Sequence, residues 1–327
     1  MGSDPPPDEF GLIAKFFAPL SAPEAFGLAD DAAIIAPRPD LDLVVKTDGL
    51  VAGVHFFPDD PPGLIARKLL RVNLSDLAAK GAKPHGYVLT AAFPKDVTET
   101  WLAGFAAGLA ADQAEFGLKL LGGDTMATPG PLTLSLTAFG HVRKAGMVRR
   151  LGARPGDEIH VTGTIGDAGL GLALLKGEEL GLGTADRDHL IGRYHLPRPR
   201  VGFGQVLPAL AHAALDVSDG LIADLGHMAE VSGVRVVLTL GVLPLSAAAA
   251  GWAGSDARRR LRLATAGDDY EIVLAAPPEA GPRLAVAAAA AGTAITRIGR
   301  IEAGAGVSVL GPDGAVMAVA KGGYRHF

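Results

Sequence analysis

Cysteine is absent from all 327 residues. That removes disulfides, thiolate nucleophiles and Cys-based zinc or iron–sulfur centres. No uninterrupted apolar run reaches the roughly 18 residues needed to cross a bilayer, although apolar residues make up 49% of the chain. The net charge is −5 and no Lys/Arg cluster rescues a polyanion-binding reading, so neither a membrane nor a nucleic acid is expected as a partner. There is no GxxxxGK[ST] loop, no HRD or DFG signature and no HExxH. Nine histidines without metal-ligand spacing argue against zinc, and no order of Ser, His and Asp suggests a triad. The start, MGSDPPPDEF, is acidic and Pro-rich and does not read as a signal peptide. Residues 1–8 are expected to be a disordered tail, and a cytoplasmic protein fits best.

What is present is aspartate. Seven short acidic motifs recur: GLADDAAII (27–35), KTDGLVAGVHF (46–56), NLSDLAAKGA (73–82), GGDT (122–125), TGTIGDAGLG (162–171), LDVSDGLIADLG (215–226) and AGDDYEIVL (266–274). Their carboxylates are nearly all Asp beside Gly, Ser or Thr. Aspartate is short and stiff and delivers a hard oxygen ligand from a strand end or turn. Mg²⁺ with substrate phosphates requires a few such carboxylates, retained waters and phosphate oxygens. A Mg²⁺–polyphosphate enzyme is the first inference.

A chain of this length predicts two domains, and strands alternate with helices throughout, so the expected class is mixed α/β (α+β). Residues 41–56 read as two strand-like segments with Asp48 between them. Ala66 to Lys80 reads as a helix with Leu70, Leu74, Leu77 and Gly81 on one stripe and Asn73, Asp76 and Lys80 on another face. A helix over 96–116 is expected to be capped by Asp96 with Glu99 and stopped at Gly117. KLLGGDT reads as a strand ending in a tight turn, and LTLSLTAFG (132–140) as a half-buried strand. The basic, turn-rich stretch 143–157 marks a boundary, giving domains 9–148 and 149–327, the second completing the active site. EIHVTGTIGDAGLGLALLKG suggests strand, glycine loop and helix, HLPRPR (195–200) a connector, and LDVSD a strand running into a helix capped by Ser218. NLSD and DVSD look alike, which leaves an internal duplication and coincidence both open.

Singly, Asp31, Asp48, Asp76, Asp124, Asp216 and Asp219 would each be ordinary cap or turn residues. Jointly they form a pattern that this reading leaves unexplained. Gly122 and Gly123 allow close backbone approach to a phosphate, and GTIGDAGLG could form an anion-binding turn at a helix start. Without a P-loop lysine, ATP's roughly four negative charges would be met by two or more Mg²⁺. His55 could donate to a substrate phosphate, and Arg149 and Arg150 could contact ATP or be a solvated patch. Tyr324 could close a pocket.

Taken together, GLADDAAII, TDGLVAGVHF, VNLSDLAAKGA, GGDT, PGDEIHVTGTIGD, LDVSDGLIADL, GDDYEIVL and KGGYRHF resemble the thiamine-monophosphate kinases, relatives of aminoimidazole ribonucleotide synthetase and selenophosphate synthetase. The resemblance runs from about Glu9 to the C-terminus. It implies transfer of a phosphoryl group from ATP to thiamine monophosphate with several Mg²⁺, two α/β domains, and a homodimer paired through the N-terminal domains. By position it implies Asp31, Thr47, Asp48, Asp76, Asp124, Asp216 and Asp219 as metal ligands. It implies Gly123, Asp124, Arg150 and Ser218 at ATP, and His55, Asp268 and Tyr324 at thiamine monophosphate. Two positions depart from some relatives: Asp268 stands in place of Glu, and Lys46 in place of a small hydroxyl residue. A cation at 46 could replace part of the metal charge.

The absence of cysteine disfavours a selenophosphate synthetase or a hydrogenase-maturation member. Aminoimidazole ribonucleotide synthetase is the remaining alternative within the superfamily. A non-catalytic nucleotide sensor and a metal-dependent phosphatase are further readings. The intact aspartate set speaks against the first, and release of phosphate without nucleotide would mark the second.

Overall fold

The computed structural model describes residues 9–320 and 322–324; the expected tail 1–8 and part of KGGYRHF (Lys321 and residues 325–327) lie outside them. The described chain divides into two compact units. The first runs to Leu77 and takes up again over Ala82–Ala145, and the second comprises Ala78–Gly81 and everything from Gly146. Both are mixed α/β, as expected. No helix among the described residues is long and apolar enough to cross a membrane.

The first unit is a four-stranded sheet in the order β1 (Leu41–Val51), β4 (Thr133–Arg143), β2 (Lys83–Pro94), β3 (Lys119–Thr128). β4 pairs antiparallel with both its neighbours, and β2 pairs parallel with β3. Alternation decides which face is covered: Leu134, Leu136, Ala138, Gly140 and Val142 of β4 are buried, while Ser135, Thr137, Phe139 and His141 are less so. Against the buried face lie two helices, Pro62–Ala79 and Glu99–Phe116. Pro62 suits the first helical position, where the missing N–H costs no hydrogen bond. The Leu70, Leu74 and Leu77 stripe is fully buried as expected, but Asn73 is buried too, so the helix is covered nearly all round. The two helices are clamped by Asp112, fully buried, which accepts from Arg71 Nε and Nη2 at 2.7 and 2.9 Å and from Arg67 Nε at 2.7 Å.

Three local expectations are corrected. β1 is one continuous strand, so Asp48 sits within it opposite Leu136 instead of between two strands. GGDT likewise lies inside β3, not in a turn. Gly123 is required there because its Cα faces the Leu89 backbone so closely that a Cβ would collide with the Leu89 carbonyl. The second helix is capped by Thr98, whose hydroxyl accepts from Trp101 N–H, and not by Asp96; Gly117, left-handed at φ 70°, ends it as foreseen.

The second unit is built on a seven-stranded sheet. Its order is β11 (Val316–Met317), β10 (Gly306–Leu310), β7 (Arg235–Thr239), β9 (Ile295–Glu302), β5 (Glu158–Thr162), β8 (Ile272–Ala276), β6 (Ala213–Asp216). β5, β6 and β8 are buried almost throughout and run as continuous apolar stretches. β8 is antiparallel to both β5 and β6, pairing Val273 with Val161 and Ile272 with Asp216. This register brings the end of β5, the end of β6 and the start of β8 to one end of the sheet. The motifs TGTIGD, DVSDG and AGDDYE all fall there. NLSD, by contrast, lies inside a helix while DVSD leaves a strand, so the two do not share a local structure.

Candidate functional site

In the first unit the candidate ligand acids fall into two groups. On β1, Lys46 and Asp48 are two residues apart and share a sheet face, and the Pro62–Ala79 helix adds Asp76. Lys46 Nζ lies 2.8 Å from Asp76 and 3.2 Å from Asp48. Burial alone would lower the Lys46 pKa, but the ion pairs with Asp76 and Asp48 outweigh it and hold the pKa above its ordinary value. Thr47, pointing to the opposite face, is held by Leu136 O at 3.1 Å and by Thr137 Oγ1 at 3.0 Å, so its side chain does not join this group.

The other group is on β3, the far edge of the sheet, three strand spacings away or about 14 Å along the sheet. There Asp30, Asp31, Gly122, Gly123, Asp124 and Thr125 line a cavity of about 480 Å³ whose remaining wall is apolar. Asp30 accepts the Asp31 N–H at 2.7 Å, and Asp31 and Asp124 are both exposed. Among the described residues no three His, Asp or Glu lie close enough to hold a metal ion with protein ligands alone. The donor set is pairs of carboxylates, which fits Mg²⁺ completed by water and phosphate oxygens.

His55 is fixed by its own turn. Its Nδ1 accepts from Val51 N–H at 3.1 Å, leaving the neutral ring's proton on Nε2, and its N–H donates to Val51 O at 2.9 Å. Lys68, only 2% exposed, donates to the His55 carbonyl at 3.1 Å.

In the second unit Asp216 ends β6 and is buried, with Ser218 and Asp219 in the turn that follows. Ser218 is not the cap of the Leu221–Ser232 helix. That position belongs to Gly220, at φ 123°, and the capping is done by Asp224 from inside the first turn. Asp224 Oδ2 accepts from the N–H groups of Ser218, Asp219 and Gly220 at 3.1, 3.2 and 3.2 Å. Burial and then the Asp219 charge push the Asp224 pKa up to about 7, against the pull of these three donors. The turn is a hub: Ser218 O accepts Asp268 N–H at 2.9 Å, Val217 O accepts Tyr270 N–H at 2.8 Å, and Asp219 O accepts Tyr324 N–H at 2.8 Å. Asp268, Ser218, Asp219 and Tyr324 are thus joined through backbone.

Asp268 and Tyr270 are both left-handed, at φ 68° and 51°, and their fully buried neighbours hold them there. Glu271 accepts from Arg193 Nη2 at 3.0 Å, Arg200 Nε at 2.6 Å and Thr162 Oγ1 at 2.7 Å. Asp269 accepts from Gly166 N–H at 2.7 Å, and burial lifts its pKa well above the usual range. This corrects the expected anion-binding turn in GTIGDAGLG, because Gly166 N–H at that helix start is already taken by a carboxylate of the chain. Arg150 is exposed; the preceding residue's carbonyl, Arg149 O, accepts Ala214 N–H at 2.9 Å along the β6 edge.

Sequence reasoning missed Asp224, Asp269, Glu271 and Lys68. An acid in a helix's first turn was the available signal for Asp224; the others announce themselves only through burial.

Comparison with known proteins agrees with this architecture. Residues 29–142 match the N-terminal domain of AIR synthase related proteins, and residues 154–311 the C-terminal domain. The fold and the two aspartate-rich units thus define an AIR synthase related protein. The chain is 46% identical over 308 residues to the thiamine-monophosphate kinase of Caulobacter vibrioides, covering 93% of this chain and 86% of that one. It superimposes with a TM-score of 0.81 on the thiamine-monophosphate kinase of Stenotrophomonas maltophilia, at 41% identity over 89% and 91% of the two chains. It also superimposes with 0.77 on AaThiL complexed with AMPPCP and TMP, at 30% identity over 98% and 97%. The chain belongs to the thiamine-monophosphate kinase family.

Asp224→Ala leaves three amides without their acceptor and should cost about 2–4 kcal/mol in urea denaturation. Asp224→Asn, which keeps one carbonyl oxygen, should cost clearly less. Equal losses would show that these hydrogen bonds do not hold the turn.

Proposed function

We infer that the chain is an ATP-dependent kinase that converts thiamine monophosphate into thiamine diphosphate. The observation that carries this is its 46% identity to a thiamine-monophosphate kinase over nearly the whole chain, with the acidic motifs intact. The TM-score of 0.77 to a relative solved with AMPPCP and TMP supports the same reading.

An oxygen of the acceptor phosphate attacks the γ-phosphorus in line. A new P–O bond forms as the bond to the β-phosphate oxygen breaks, and ADP leaves. The attacking oxygen is already ionised near neutral pH, so no strong general base is needed, and the chain's task is alignment and charge neutralisation. Mg²⁺, when bound, neutralises the nucleotide phosphates. We assign its ligands to Asp31, Asp48, Asp76 and Asp124 in the first unit and Asp216 and Asp219 in the second. Thr47 would contribute only through its backbone. Gly123, Arg150 and Ser218 are assigned to ATP. His55 Nε2 is assigned as donor to the acceptor phosphate, with Asp268 and Tyr324 at the thiamine rings. The same proposal includes work in the cytoplasm, where ATP is regenerated, and a homodimer of the first unit through the face exposing Leu43 and Val45, 44% and 56% accessible.

Incubation with ATP, Mg²⁺ and thiamine monophosphate should give thiamine diphosphate and ADP in equal amounts on product separation. Asp76→Asn and Asp124→Asn should each abolish turnover with an unchanged circular dichroism spectrum, and near-normal rates in either would reject its ligand role. His55→Ala should raise the KM for thiamine monophosphate more than that for ATP. For the dimer, light scattering should return twice the 33.4 kDa chain mass, and a monomeric mass would refute the pairing.

A further inference from the structure

The counter-charge beside Asp48 and Asp76 is part of the chain. Nζ of Lys46 lies 2.8 Å from Asp76 Oδ2 and 3.2 Å from Asp48 Oδ1, distances suited to an ammonium between two carboxylates. The three side chains are partly withdrawn from water, with Lys46 31% and Asp76 20% exposed, so screening does not erase their interaction. A Mg²⁺ bridging the same two oxygens would lie about 2.0–2.1 Å from each. It would occupy the gap that Nζ fills, and a lysine and a divalent ion exclude one another there by charge and by volume, so Asp48 and Asp76 serve as the Mg²⁺ ligands assigned above only through their other oxygens, Oδ2 and Oδ1.

We propose that Lys46 is a fixed cation standing in for one divalent ion between Asp48 and Asp76. The chain then binds its nucleotide with one metal ion fewer than it would with a neutral residue at this position. A lysine supplies one positive charge at no cost in free Mg²⁺ and keeps the two carboxylates together before any ligand arrives. It also lacks the octahedral demand of Mg²⁺, so it neutralises these acids without orienting a phosphate oxygen. The proposal rests on the kinase reading above and concerns the metal complement of that site.

The test counts ions and does not depend on turnover. Mn²⁺ replaces Mg²⁺, AMPPCP is held at saturation, and bound Mn²⁺ per chain is read by electron paramagnetic resonance. Lys46→Ser and Lys46→Met, the second keeping most of the aliphatic stem, should each gain about one Mn²⁺ relative to wild type, whereas Lys46→Arg should not. An unchanged or lower count in a folded Ser or Met variant overturns the proposal. Product formation by the wild-type protein is measured separately. No thiamine diphosphate defeats the kinase reading, while product with an unchanged ion count defeats only the role of Lys46.

Discussion

Carboxylates held close together repel, and in this chain several acidic groups are organised around something that answers that repulsion. Two unit charges 4 Å apart interact by about 4 kcal/mol at an effective dielectric constant of 20. Left uncompensated, such pairs would drive protonation or splay the loops apart. Asp112 is answered by Arg67 and Arg71, Glu271 by Arg193 and Arg200, and Asp48 with Asp76 by Lys46. Asp31 and Asp124, which line an open cavity, are the exposed members of the set. The acids held by arginine are therefore structural, while Asp31 and Asp124 stay open to solvent.

Backbone amides are the second source of compensation, and the chain uses them on itself. Helix starts and glycine turns are ordinarily receptive to phosphate. Here Asp224 collects three amides and Asp269 takes the Gly166 amide. Those four amides are already taken by carboxylates of the chain.

Much of this was legible from residue pattern alone. The β4 alternation, the Leu70–Leu74–Leu77 stripe and the Gly117 stop follow from local periodicity and backbone preference, and they appear where expected. Asp48 and GGDT were misplaced because Gly next to Asp signals a turn locally, whereas pairing with β4 and β2 extends both strands straight through. The caps at Thr98 and Gly220 were misassigned for a related reason, since several candidates lay within three residues and the hydrogen bonds of the folded chain, Trp101 N–H to Thr98 and three amides to Asp224, chose among them. The adjacency of DVSDG and AGDDYE depends on antiparallel register between β6 and β8, about 55 residues apart in sequence, which no short-range pattern encodes. Asp269 and Glu271 sit in the same motif as Asp268, yet burial alone separates scaffold from surface.

Left-handed backbone at Asp268 and Tyr270 has a thermodynamic corollary. Non-glycine residues in that region each sit about 1 kcal/mol or more above their relaxed state, and here flanking carboxylates locked onto arginines and an amide keep them from relaxing. A loop so immobilised has already surrendered its conformational freedom during folding. A ligand that met Asp268, as proposed, would encounter a stiff, prearranged surface and forfeit little entropy in ordering it.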